Sequence, residues 1–302
     1  MRRDLVLARV GATSLHPTWL DRGSPRDWDL HLIPYQRMPS QDGLDLTLHD
    51  VVPGPKWSGI RDLLERWDGW RDYEMIWLPD DDLLATQSTI DAMFAAAERA
   101  GLRLFAPALH ESSYFAHFST MRNTSFFGRR TGFVEIMCPG FTTEALAELL
   151  PTLELSTTGW GWGLDSLWPK LLGYRDLGVL DGVPVLHTRP VGRMRDEELA
   201  RRVRAESDAI LANGDCRQVH TTFGAFGEDG EAIELSQDEL LVELVRGWSH
   251  LLDRDPRLLS WITEYQRPSA GWSAYPIEGT PEAGSGQPPV AARMGGVRSP
   301  TA

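Results

Sequence analysis

Along the first half of the chain, short apolar runs alternate with segments whose apolar residues recur at helical spacing. Leu5 to Val10 is an apolar run closed by Gly11, which predicts a buried strand. Trp28 to Tyr35 predicts a second strand, and Leu46 to Val52 a third that Pro53-Gly54-Pro55 breaks. Trp57, Ile60, Leu63, Leu64 and Trp67 fall on one face of a helix over Lys56 to Trp67. Met75 to Leu78 is a fourth strand. Gln87 to Ala100, rich in good helix formers, is a helix stopped by Gly101. Leu102 to Ala106 reads as a fifth strand, followed by a loop at Pro107. This alternation predicts an α/β fold, a mostly parallel sheet flanked by helices.

Farther on the pattern is less regular. His110 to Phe127 carries Tyr114, Phe115, His117, Phe118, Phe126 and Phe127, a loop or pair of edge strands suited to lining a pocket. Gly132 to Pro139 reads as a strand, Thr143 to Leu150 and Ser166 to Leu172 as short helices, and Val183 to Leu186 as a short strand ending at His187. After Gly192 the character changes to charged helices over Asp196 to Asn213, Gln237 to Leu252 and Leu258 to Tyr265. From Pro268 on, Gly, Pro, Ser and Ala dominate and periodicity vanishes. The chain is therefore expected to divide into a catalytic domain (1–192), a C-terminal helical extension (193–267) and a disordered tail (268–302).

The chemistry concentrates where the fourth strand stops. Pro79 cannot donate to a ladder, and Asp80, Asp81 and Asp82 follow at once. Adjacent carboxylates repel unless something positive lies among them, and a divalent cation is the simplest candidate. Asp80 and Asp82, two apart in extended backbone, project to one side and can share an ion. All-oxygen ligation favours Mg²⁺ or Mn²⁺, ions that commonly also hold the phosphates of a substrate. The same spacing also serves helix caps and solvated loops. No Gly-rich dinucleotide fingerprint or P-loop is present, so this reading rests on carboxylates and metal alone.

Two further features add to it. In Thr157 to Asp165, three glycines alternate with Trp160 and Trp162, making poor strand and poor helix, and flat rings can lie there close to backbone. Such rings suit a sugar as well as they suit packing. Asp165 at the end of this loop is either a general base held at a helix start or a plain helix cap. His187, at a strand end, is either a structural hydrogen-bonder or a third metal ligand beside Asp80 and Asp82. The composition limits partners further. A chain of 302 residues with 42% hydrophobic residues can bury a full core, and a formal charge of −13 argues against nucleic acid or an anionic membrane as main partner. Two cysteines, Cys138 and Cys216, give neither a disulfide framework nor zinc spacing. With Arg9 interrupting the first apolar run and no transmembrane-length stretch, the expected place is the cytoplasm.

In order, Asp80-Asp81-Asp82-Leu83, then Gly132 to Pro139, then Trp160-Gly161-Trp162-Gly163-Leu164-Asp165, then Gly178 to Asp181 with His187, resemble the DUF707 family over roughly Leu5 to Gly192. That family is similar to GT-A-type glycosyltransferases. The resemblance implies a nucleotide-sugar fold with a DXD motif at Asp80 and Asp82, with Asp81 between them. It implies Mn²⁺ or Mg²⁺ held by Asp80, Asp82 and His187 on the diphosphate of a UDP- or GDP-linked donor. Asp165 matches the position of a catalytic base in inverting members, which act on a carbohydrate or glycoconjugate hydroxyl. Lys56, Arg129 and Arg130 are candidates for phosphate contact, and Trp160, Trp162 and Glu135 for contact with the acceptor or donor sugar. Two readings compete. One is a non-catalytic carbohydrate-binding protein on the same fold. The other is a phosphohydrolase with an Asp nucleophile, which usually sets its Asp pair after the first strand and a Thr or Val where this chain has Leu84.

Overall fold

The computed structural model describes residues 2–191 and 196–266. The expected disordered tail therefore lies outside the described residues. The first strand, β1 (Asp4–Val10), is buried along its whole length, as a central strand covered on both faces must be. It pairs in parallel with β2 (Trp28–Pro34) on one side and with β4 (Met75–Trp77) on the other. Between these two come β3 (Thr47–Leu48) and helix α1 (Lys56–Arg66). Only two residues of the predicted third strand join the sheet, at its edge beside β2. Helix α1 buries Trp57, Ile60, Leu63 and Leu64, the stripe seen in the sequence. It crosses the buried Arg9 at Gly59, where any Cβ would lie 2.5 Å from the guanidinium carbon.

After β4 the chain forms β5 (Leu83–Leu84) and α2 (Gln87–Arg99), whose N-cap Thr86 accepts the Thr89 amide. Strand β6 (Leu104–Leu109) contains Pro107, where a loop was expected. The ladder tolerates it through an irregularity in register against β9 (Leu177–His187) between Pro107 and Leu109. Strand β9 itself is longer than the short strand predicted at its end.

Two short strands, β7 (Gly128–Thr131) and β8 (Gly140–Thr142), flank the stretch that reads as a strand over Gly132 to Pro139. That stretch is a loop, because its carbonyls bind elsewhere. Met137 accepts from the Asp80 amide, Pro139 from the Leu78 amide and Cys138 from the Trp77 indole. Helices α3 (Thr143–Leu149) and α4 (Leu164–Leu171) follow, the latter starting two residues before its predicted start.

Beyond residue 195 the chain forms α5 (Glu197–Asn213), β10 (Thr222–Phe226), β11 (Ala232–Ile233), α6 (Gln237–Gly247), α7 (Ser249–Leu252) and α8 (Leu258–Tyr265). The single helix predicted over Gln237 to Leu252 breaks at Gly247, whose carbonyl accepts from the Thr124 amide and hydroxyl. Strands β10 and β11 carry no pattern that predicts them. They extend the sheet by antiparallel pairing of β10 with β7.

The strand order is β11-β10-β7-β9-β6-β8-β4-β1-β2-β3, with β5 attached to β9. Strands β1, β2, β3, β4, β6, β9 and β10 point one way, and β7, β8 and β11 run against them. The expected α/β fold, a mixed and mostly parallel sheet flanked by helices, is what the chain forms. The carboxyl ends of β1, β4, β6 and β9 meet at one edge of the sheet, where ligands bind in such folds. Among the described residues, no helix is long and apolar enough to cross a membrane.

Candidate active site

The Asp triplet leaves β4 at this edge, and where the sequence suggests extended backbone Asp81 and Asp82 form a turn before β5, which sends the three side chains two ways. Asp81 turns inward and is buried. It accepts from the Gly11 amide at 2.7 Å, the Tyr35 hydroxyl at 3.3 Å and the Arg189 guanidinium at 3.3 Å. It thereby ties the ends of β1 and β2 to the segment after β9. Asp80 and Asp82 face the other side. Asp80 lies 2.7 Å from the Lys56 ammonium, which also donates to the carbonyls of Ile136 at 2.9 Å and Met137 at 2.6 Å. All three Lys56 protons are spent within the protein. Lys56 therefore stands as the clamp between Asp80 and the 135–137 loop.

Asp82 meets His187 because β5 pairs antiparallel with the end of β9, Leu83 opposite His187. The Asp82 carbonyl accepts the Thr188 amide and hydroxyl, and its Oδ2 lies 3.4 Å from His187 Nε2. His187 Nδ1 is 2.7 Å from the Tyr114 carbonyl, which can only accept, so that nitrogen carries the proton. Nε2 then presents either a second proton or a lone pair toward Asp82. Burial works against the charged imidazolium, but the Asp82 carboxylate, the Tyr114 carbonyl and Asp80 outweigh it and raise its pKa. Asp82 Oδ1 is buried without a hydrogen-bond partner.

Whether a divalent ion fits can be judged from these atoms. A carboxylate oxygen left bare in the interior and an imidazole Nε2 fixed by a hydrogen bond on its far nitrogen suit a cation between them. Asp82 and His187 fit it. Asp80 is turned to Lys56, and among the described residues no three His, Cys, Asp or Glu are gathered as a ligand set.

The loop over 133–139 and the Trp-Gly loop bring two more carboxyls. Glu135 Oε2 is buried and makes no hydrogen bond. Burial first, then the neighbouring Asp165 carboxylate, push its pKa up to about 8, with His187 and Lys56 pulling the other way. Asp165 lies in the first turn of α4 and is 5% exposed. Its helix is capped by Gly163, so the alternative reading of Asp165 as the cap does not hold. Burial pushes its pKa up to about 7 against hydrogen bonds from the Ser166 hydroxyl and the amides of Gly163 and Ser166. A carboxyl with a pKa near neutrality can take a proton and release it.

Gly161, with φ of +77°, passes so close to Trp57 that a Cβ would lie 2.3 Å from its ring. The loop is thus closed down on α1 and presents Trp160 outward, 38% exposed, with Trp162 half-buried.

The other candidate cations lie elsewhere. Arg129 is 1% exposed and holds Asp181 through two hydrogen bonds of 2.7 and 3.0 Å, in a fully buried pair beneath Trp248. Arg130 donates to the Ala100 carbonyl and covers Phe226. Neither is placed for phosphate. Arg189 and Tyr35 carry no signal in the sequence, and only their meeting with Asp81 marks them. A cavity of about 390 Å³ lined by Arg3, Asp4, Trp28 and Phe94 opens at the opposite edge of the sheet and holds none of the candidate residues.

No protein-family model matches the chain, so membership of the DUF707 family is not shown, and no curated protein matches it. Solved structures similar in shape include S. aureus TarS 1-349, at 11% identity over 72% of this chain and 68% of that chain, with a TM-score of 0.49. The same protein in complex with UDP is similar at 13% identity over 82% of this chain and 72% of that chain, with a TM-score of 0.46. Its complex with UDP-GlcNAc is similar at 12% identity, covering 71% of each chain, with a TM-score of 0.43.

Proposed function

We propose that this chain is a metal-dependent glycosyltransferase that moves a sugar from a nucleotide-sugar donor to an acceptor hydroxyl with inversion. One observation carries the reading. A buried carboxylate–imidazole pair with a bare oxygen, Asp82 and His187, shares the carboxyl edge of the sheet with a proton-accepting Asp165 on a loop that presents Trp160. Asp82 and His187 would hold Mn²⁺ or Mg²⁺, which when bound neutralises the diphosphate of the donor and the charge that develops as it leaves.

The chain's own residues do the rest. Lys56 fixes Asp80 and the 135–137 loop relative to each other. Trp160 offers an apolar ring face to a pyranose. Asp165 accepts the proton of the acceptor hydroxyl while that oxygen bonds to the anomeric carbon and the bond from that carbon to the diphosphate oxygen breaks. Attack opposite the leaving group inverts the centre. Glu135, protonated near neutrality, donates a hydrogen bond to a sugar hydroxyl from within the same site.

The Lys56–Asp80 ion pair favours one second reading. A protein whose first DXD carboxylate is neutralised internally could bind sugar without turnover. The test is release of UDP or GDP from a panel of UDP- and GDP-sugars with Mn²⁺ and a saccharide mixture. Turnover that is lost in both Asp82→Ala and Asp165→Asn supports transfer. Saccharide binding with no nucleotide released from any donor moves the protein to the binding-only reading.

A further inference from the structure

Glu206 lies on α5, in the segment that the sequence sets apart as an extension. Its carboxylate accepts four hydrogen bonds, all from the turn that leads into the Trp-Gly loop. Oε1 accepts from the hydroxyls of Ser156 at 3.1 Å and Thr158 at 2.7 Å. Oε2 accepts from the Thr157 hydroxyl at 2.6 Å and the Thr158 amide at 2.8 Å. Two of these hydroxyls then pass the constraint on. Ser156 Oγ accepts the Gly161 amide at 2.8 Å, and Thr158 Oγ1 accepts the Trp160 amide at 3.4 Å.

Because each hydroxyl has given its single proton to the carboxylate, its lone pairs are left facing the loop amides. The direction of both relays is therefore set by the charge on Glu206. The next turn of α5 closes the other end of the loop. Gly163, the residue before α4, sits so tightly against α5 that a Cβ would lie 3.3 Å from Ile210 and from the Ser207 carbonyl.

We propose that Glu206 is a positioning residue of the active site, acting through Ser156 and Thr158 to hold Trp160 and Gly161, and with them Asp165, where a pyranose is recognised. Helix α5 is on this account part of the sugar site. The proposal rests on the glycosyltransferase reading for what the loop is held for, and on geometry alone for the holding. A glutamine at 206 keeps the volume but supplies one accepting oxygen in place of two. With its oxygen on the Thr158 amide and the Thr157 hydroxyl, its nitrogen can donate to the Ser156 and Thr158 hydroxyl oxygens, whose second lone pairs still meet the loop amides, so only loss of the side chain in Glu206→Ala breaks both relays.

The test measures hydrogen exchange on the full chain for the native protein, Glu206→Gln and Glu206→Ala, alongside nucleotide-sugar hydrolysis by the same preparations. The expected result is exchange at Trp160 and Gly161 faster by at least about tenfold in Glu206→Ala and by less in Glu206→Gln, which loses only the charge, with the amides of β1 and β4 unchanged. For the sugar nucleotide that the native protein hydrolyses, KM stays within about twofold while kcat falls at least about tenfold. Unchanged exchange in the loop overturns the proposal, as does loosening spread evenly over β1, β4 and the loop. A fall in kcat shared with an equal rise in donor KM also overturns it. If the native protein releases no nucleotide from any sugar nucleotide with Mn²⁺ and saccharides present, the transferase reading fails, and the exchange pattern still decides whether Glu206 holds the loop.

Discussion

Replacing Asp165 by asparagine tests whether the buried carboxyl is set near neutrality. Burial raises the pKa of Asp165 from 3.8 to about 7 in the folded protein. Between those values the unfolded chain ionises Asp165 while the folded chain keeps the proton. The stabilising contribution of the group is thus complete below about pH 4 and is lost as pH rises toward 7. A shift of about three units at 1.36 kcal/mol each corresponds to roughly 4 kcal/mol lost across that interval. Asparagine cannot ionise, so Asp165→Asn should escape this loss.

The stability difference between variant and native protein should therefore move in the variant's favour by roughly 3 kcal/mol from about pH 4.5 to pH 7.5, the part of that loss which falls in this interval. Glu135, raised for the same reason and coupled to Asp165, adds to the effect, because its own carboxylate is relieved of a neighbouring charge. The assay is urea unfolding of both proteins at pH 4.5, 6.0 and 7.5, each pair compared at the same pH so that other titrating groups cancel. Turnover in Asp165→Asn should fall by about 10²–10⁴, the range of a lost general base. A stability difference that stays constant over this pH range refutes the assignment of a buried, proton-holding Asp165.

Other consequences are as direct. Lys56→Met removes three hydrogen bonds from the ammonium, takes from the Ile136 carbonyl its Lys56 partner while Met137 keeps the Asp80 amide, and should cost roughly 1–3 kcal/mol in chemical unfolding while weakening nucleotide binding. Asp181→Asn leaves the Arg129 guanidinium buried without its counter-charge and should destabilise by roughly 3–5 kcal/mol, with no selective effect on nucleotide affinity at temperatures where the variant is folded. Gly161→Ala places a side chain at positive φ against Trp57, costing about 1–2 kcal/mol for the backbone alone, and should lower turnover more than it lowers donor affinity.

The carboxyl edge of the sheet is legible in the sequence because its signals are local. Met75 to Leu78 is an apolar run, Pro79 ends it, and the Asp triplet follows within the same few residues. Asp165 is legible for the same reason, since glycines force the loop that carries it. The meeting of His187 with Asp82 is only hinted at by a histidine at a strand end, because it depends on β5 pairing with a strand about a hundred residues later. Arg129 reads in the sequence as a candidate phosphate contact because its true partner, Asp181, lies on a different strand. Strands β7, β8 and β10 are short, and β7 and β10 carry little apolar pattern of their own, so they are strands only through the neighbours they pair with. The 133–139 loop fails as a predicted strand because the site uses its carbonyls. Glu206 carries no local signal at all. In a helix full of acidic and basic residues, only the fold shows which one reaches the loop.

The central claim is that Asp82 and His187 hold a divalent ion against a nucleotide diphosphate. The most direct measurement is calorimetric titration of UDP and of GDP into the purified protein, with and without Mn²⁺, repeated on Asp82→Ala. The account predicts binding of one of them that requires the metal and disappears in the variant. Binding that is equally tight without metal, or unaffected by Asp82→Ala, contradicts the site as assigned, and so does failure of both nucleotides to bind with Mn²⁺ present.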